Sequence, residues 1–236
     1  MTIELLYPEV ANLFGDLANA KLLKAAIHGA EMVETGLKTR PRFADGAVDM
    51  ILLGSMTERS QELAAAALMP LRDRLSELIE GGTVFLVTGN AMEIFGSHIE
   101  NEDGSKIEML DLFDFHAKRR MMNRFNSLYL GKCGDIEVVG FKSQFSHAFG
   151  EGFDPLFETV RGVGINPGVM SEGVRKNNFM ATYVLGPLLV LNPDFAKYIF
   201  TLLGADDAVL PFEDAAYDAY NLRLAEFKDP KTGFGY

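Results

Sequence analysis

The chain has 236 residues and a formal net charge of −11, with 48% apolar and 23% charged residues. That length can bury a substantial core, and the negative charge argues against a nucleic-acid backbone or an anionic membrane as the main partner. The single cysteine, Cys133, excludes an internal disulfide framework and a cysteine zinc site.

In chain order, residues 3–7 predict a first strand, ended by Pro8. Asp16 is placed to cap the next helix, whose apolar positions Leu22, Leu23, Ala26 and Ile27 fit one face before Gly29. A second strand falls near 31–37, and residues 39–42 read as a loop. The continuous apolar run 48–53 suits a strand buried on both faces of a parallel sheet. Thr57 is a good N-cap for a long helix through Ile79, kinked at Pro70 and stopped by Gly81-Gly82. Residues 81–96, GGTVFLVTGNAMEIFG, then give a buried strand at 84–87, a tight turn at Thr88-Gly89-Asn90 and a helical pattern through Met92, Ile94 and Phe95. In open α/β sheets this geometry presents a reactive group at the carboxyl end of a strand. Here the turn residue is Gly89, so the scaffold of a nucleophile site lacks its nucleophile.

After His98 the regular alternation of strand and helix stops. Asp103-Gly104 suggests a hairpin turn, and 128–130, 136–141, 159–164 and 179–184 read as shorter strands. Pro193 opens a helix through Leu203, and a last helix over 213–227 carries Ala216, Tyr220, Leu224 and Phe227. The tail DPKTGFGY is expected to fray. The expectation is one α/β domain over 1–236. Its sheet is open and mostly parallel, with helices on both faces and additional antiparallel strands in the second half. No apolar run spans a bilayer, and MTIELLYPEV has no leader pattern, so a cytoplasmic location is the default.

The four histidines (His28, His98, His116, His147) show no metal-pair spacing, and no metal or cofactor is expected. His28 reads as a surface or capping residue at a helix end. His147, in a predicted loop, is the best lone acid–base candidate. Cys133, beside Lys132 in a turn, reads as structural. The run beginning Arg161-Gly-Val-Gly does not match a dinucleotide fingerprint. Lys118-Arg119-Arg120 with Arg124 is the one basic cluster, either a solvated face or a carboxylate-recognition site.

Four segments together resemble the class I glutamine amidotransferases, in the CobB/CobQ-type, GatD-like branch. They are residues 6–19 (LYPEVANLFGDLAN), 53–62 (LGSMTERSQE), 88–96 (TGNAMEIFG), and 182–187 (TYVLGP) with Asn192-Pro193. They are similar, in order, to that branch's GD-x-x-N opening, GGG-x-DREQ loop, CGGYQLLG elbow and TYxHGP…NP segment. The resemblance implies a flavodoxin-like sheet and glutamine hydrolysis by an elbow cysteine with a histidine base. It further implies ammonia transfer to a synthetase partner of Mur-ligase type.

Carried over by residue, Gly89 takes the cysteine position and Leu185 the histidine position, both vestigial. Ser55 and Met56 follow Gly54 where the loop has glycines, and Asn90 and Ala91 replace elbow glycines. Glu93 stands for the elbow glutamine, and Gln144 stands for a histidine. Arg124 is a retained candidate for holding a glutamine-like ligand. Glycine cannot form a thioester and leucine cannot accept a proton, so glutaminase activity is expected to be absent. The implied ligand-binding set is Gly54, Ser55, Asn90, Glu93, Arg124 and Gln144. The leading expectation is a binding or scaffolding subunit. The alternatives are an enzyme with altered chemistry built on Glu93, His147 and Arg124, or an amino-acid sensor using Arg124. A homodimer is left open.

Overall fold

The computed structural model describes residues 1–235. The first half alternates strand and helix: β1 (Thr2–Leu6), α1 (Leu17–Ala26), β2 (Glu31–Thr35), the short and unforeseen α2 (Arg42–Asp45), β3 (Met50–Leu53), α3 (Glu58–Leu68), α4 (Arg72–Glu80) and β4 (Val84–Thr88). Thr57 caps α3 through a bond from Ser60 N at 3.2 Å. The predicted kink is a 3₁₀ turn, Met69–Leu71, with Pro70 inside it. The remaining strands are β5 (His98–Glu100), β6 (Lys106–Glu108), β7 (Phe115–Arg119), β8 (Phe125–Cys133), β9 (Ile136–Gln144), β10 (Ser146–Gly150), β11 (Phe157–Arg161), β12 (Ser171–Glu172), β13 (Val174–Lys176) and β14 (Phe179–Thr182). Helices α5 (Leu188–Leu191), α6 (Pro193–Leu202) and α7 (Glu213–Lys228) follow.

The main sheet runs β13-β14-β4-β3-β1-β2, with every pair parallel except the β13–β14 edge. Its strands alternate strictly between two cores. Ile51, Leu53, Phe85, Val87 and Phe179 face a cluster with α3 and α4. Met50, Leu52, Val84, Leu86 and Met180 face α1, α5 and α6. Burial on both faces explains why these strands read as unbroken apolar runs. Two four-stranded sheets, β10-β7-β5-β6 and β12-β11-β8-β9, antiparallel except for the parallel β5–β7 pair, make up the second half. The β5–β6 hairpin turns at Gly104, as Asp103-Gly104 predicts. Helix α7 packs Tyr220 and Phe227 on Leu130 and Val139 of the last sheet.

Three expectations need correction. Asp16 stands at the N-cap of α1 but its side chain caps nothing; Asn12 Oδ1 accepts from Leu17 N instead, at 3.0 Å. The segment after Gly89 is a 3₁₀ helix, Gly89–Phe95, not an α-helix. The tail is held: Arg161 donates to the carbonyls of Phe227, Asp229 and Thr232 at 2.5–2.8 Å and lies over the Phe234 ring. A fixed guanidinium fork satisfies three carbonyls that a frayed tail would leave to water.

Candidate functional site

A cavity of about 180 Å³ opens where the parallel strands end. Leu13 and Phe14 reach it after β1, Ser55, Met56 and Thr57 after β3, Gly89 and Asn90 after β4, and Leu185 after β14. Arg124, Ser143, Gln144 and Phe145 close it from the antiparallel half. The sequence-picked residues Gly89, Leu185, Ser55, Asn90, Arg124 and Gln144 therefore converge on one place.

The turn at Gly89 has φ +66°, a conformation glycine adopts without strain. A Cβ built there would lie 2.6 Å from Ser55 Cβ and 3.1 Å from Leu185 Cδ2. Real side chains do not pack that closely, so the volume a turn nucleophile needs is already filled. Leu185 is fixed in turn by reciprocal backbone bonds with Phe141, 2.8 and 3.2 Å long.

Ser55 is not a free hydroxyl. It donates to Asp16 Oδ2 at 2.6 Å, while Thr88 donates to Asp16 Oδ1 at 2.5 Å. The carboxylate that caps no helix thus ties the ends of β3 and β4 together. Thr57 donates to Ser60 and Ser143 to Asn126. Among the described residues no cysteine, histidine or lysine lines the cavity, and its one carboxylate is Glu58; the Ser55 proton is already committed to Asp16.

Asn90 spends its amide on the backbone of Met56, accepting from the N–H at 3.0 Å and donating to the carbonyl at 2.8 Å. It is a brace for the Ser55–Met56 loop. Gln144 is 6% exposed; its Nε2 donates to Ser146 O at 2.6 Å, and its buried Oε1 has no partner among the described residues. Arg124 is exposed, lies 5.2 Å from the centroid of the Phe145 ring and forms no ion pair among the described residues.

Gly54 and Glu93, also picked from the sequence, do not line the cavity. Gly54 is a close-approach position: a Cβ there would lie 2.3 Å from Ala11 O and 2.5 Å from Asp16 Cβ. Glu93 is buried and accepts from Gln61 Nε2 at 2.8 Å, Tyr183 OH at 2.8 Å and Ser146 Oγ. Burial pushes its carboxyl above the ordinary range, against those donors and Arg119, which pull it down. Arg119 leaves its basic run to join this network, donating to Glu62 at 2.9 Å and Gln61 at 2.8 Å.

His147 is on strand β10, not in a loop, and faces a neighbouring cavity. Burial and Lys142 lower its pKa, so it is neutral near pH 7. Cys133 is buried at the end of β8, and burial pushes its thiol up, which suits an inert cysteine. His28 is exposed in the turn after α1. Among the described residues no group of three His, Cys, Asp or Glu is placed to hold a metal, and no helix is long and apolar enough to cross a membrane.

The residues sequence reasoning missed are Asp16 as a strand tie, Gln61 as the centre of the Glu93 network, and Leu13, Phe14 and Phe145 as walls. Phe14, an aromatic in the loop after a first parallel strand, was the one local signal for a wall.

A parallel sheet with a cavity at its carboxyl edge, over a sharp glycine turn between strand and helix, defines a doubly wound α/β protein with its site at the strand ends. The chain belongs to the CobB/CobQ-like glutamine amidotransferase family, whose model matches residues 2–192. It is 24% identical over 213 residues to the lipid II isoglutaminyl synthase (glutamine-hydrolyzing) subunit GatD of Staphylococcus aureus, covering 90% of this chain and 85% of that protein. A glutamine amidotransferase structure from Thermotoga maritima superimposes with a TM-score of 0.51 at 8% identity, covering 94% of this chain and 92% of that one.

Proposed function

We propose that this chain is a single-domain amidotransferase-like subunit that no longer hydrolyses glutamine and acts as a binding or scaffolding partner. On the motif correspondence, Gly89 stands at the family's cysteine and Leu185 at its histidine. The observation that carries the reading is packing at the turn. Ser55 and Leu185 fill the space beside Gly89, so loss of the nucleophile goes with a change in its surroundings. An accidental single replacement would leave a cavity. The Staphylococcus relative is a subunit of a synthase, and that likeness supports a synthetase partner for this chain; its Mur-ligase type is what the motif resemblance implies.

The test is ammonia release from glutamine by the purified chain. No release above the buffer rate is expected. Release by the wild-type chain overturns the reading, and Cys133→Ala then shows whether a relocated thiol carries it.

A second reading, a retained amino-acid ligand, is favoured by Arg124 without an ion pair and Gln144 Oε1 without a donor on one cavity. Arginine suits a carboxylate and the amide oxygen suits an ammonium or amide N–H. Thermal shift with glutamine and glutamate tests it, because a ligand at a hundred times its Kd adds about 2.7 kcal/mol. No shift at millimolar concentration removes it. The altered-chemistry enzyme loses support, since Glu93 and His147 do not line the cavity.

A further inference from the structure

The outward face of β7 and β10 forms a second groove that shares Arg124 and Phe145 with the first cavity and does not reach the turn at Gly89. The two strands are antiparallel, with His147 opposite Lys118 and Phe149 opposite His116. Arg120 continues the register by donating its N–H to Phe145 O at 2.6 Å. Alternation puts Ala117, Arg119, Ser146 and Ala148 inward, all buried. Lys118 and Arg120 are left facing the half-buried rings of Phe145, His147 and Phe149 on the outside.

Arg124 and Phe125 close one end, and together these residues enclose about 310 Å³. That is the low end of the range for small-molecule pockets. Lys118 lies 5.7 Å from the centroid of the Phe149 ring, and Arg124 lies 5.2 Å from that of Phe145. Phe125 and His147 meet edge to face at 5.2 Å. Three cations collect here in a chain with 22 basic and 33 acidic residues. Their one acidic partner among the described residues is Glu100, 3.9 Å from Lys118. Glu100 and Glu102 line an adjoining cavity beyond Lys118 and Arg120.

We propose that this groove binds a nucleoside monophosphate, its base against the phenylalanine rings and its phosphate among Lys118, Arg120 and Arg124. Aromatic side chains on an open sheet face with cations between them are the physical requirement for stacking a base while holding its phosphate. A bare anion would leave the ring surfaces unused, and an uncharged aromatic would leave the three cations unmatched. A long nucleic acid would bring many phosphates against a chain of charge −11; a single phosphate meets only the groove.

The experiment is calorimetric titration of the full chain, at low salt, with AMP, adenosine and inorganic phosphate in separate arms. AMP is expected to bind at least tenfold more tightly than either fragment. Arg120→Ala should weaken AMP about tenfold and leave adenosine unchanged, and Arg120→Lys should recover part of the loss. Phe149→Leu should weaken AMP and adenosine but not phosphate. If Phe149→Leu does not fold, the exposed Arg120 pair carries the test alone. Phosphate binding as tightly as AMP, no AMP binding at millimolar concentration, or a short single-stranded oligonucleotide binding more tightly than AMP would each overturn the proposal. None of these readouts involves glutamine, so the outcome is independent of the glutaminase reading.

Discussion

Ser55 Cβ stands 2.6 Å from the point where any side chain on Gly89 would begin. The two residues come from the ends of neighbouring strands, β3 and β4, and share one small volume. Gly89→Ala is therefore expected to cost about 2–4 kcal/mol, combining overpacking with the strain of a non-glycine residue at positive φ. Gly89→Cys should cost at least as much and release no ammonia. Pairing either with Ser55→Gly should show a favourable coupling of about 1 kcal/mol or more in a double-mutant cycle by urea unfolding. Strict additivity would mean that the turn relaxes away from Ser55.

Asp16 offers a second test. Its carboxylate accepts from Ser55 and Thr88, both buried. Asp16→Ala should destabilise by about 2–3 kcal/mol, because two hydroxyls lose a charged acceptor. If Asp16 were a helix cap, Asp16→Ser would restore most of the stability. As a strand tie it should not, since serine is too short to reach both hydroxyls.

The pH dependence should carry the signature of His147. Its folded pKa lies below the ordinary 6.5, because of burial and Lys142. Above pH 6.5 both folded and unfolded chains keep it neutral. As pH falls through 6.5 toward the folded value the unfolded chain takes up the proton first, so stability falls. Glu93, raised by burial, acts in the opposite sense: between its raised pKa and 4.5 the folded chain binds the proton first. Comparing wild type with His147→Phe between pH 7 and 5 isolates the histidine. The variant should show a smaller loss of stability; parallel curves would mean that His147 protonates freely in the fold.

Glu93→Ala removes the acceptor shared by Gln61, Ser146 and Tyr183. A loss of about 3 kcal/mol is expected in urea unfolding. A loss under 1 kcal/mol would show that those donors find other partners.

The alternating first hundred residues were legible because β3 and β4 are buried on both faces and the helices between them carry their own boundary signals, Thr57 starting α3 and Gly81-Gly82 ending α4. The turn at Gly89 was legible for the same reason. The antiparallel half was harder, since β5 and β6 have three residues each and β12 two, too few to show a period. Strand Phe115–Arg119 does alternate, with Phe115, Ala117 and Arg119 inward, but its charged end reads as a solvated cluster when its partner β10 is unknown. Glu93, four residues from the turn, reads as a site residue because it stands at the elbow glutamine of the resembled motif. A 3₁₀ path turns it into the core, and only Tyr183 and Ser146, 90 and 53 positions away, show why.

The tail held by Arg161 has a consequence for the last sheet. Strand β11 pairs with β8 only along Leu130–Lys132, leaving the beginning of β8 open on that side. Phe234 O accepts from Leu128 N at 2.8 Å, and Gly235 bridges to Ser127. Phe234 and Gly235 are in effect a short guard strand over an edge that could otherwise recruit a strand from another molecule. Replacing Phe234 and Gly235 with residues that cannot pair would expose that edge to self-association while leaving the amidotransferase-like cavity intact.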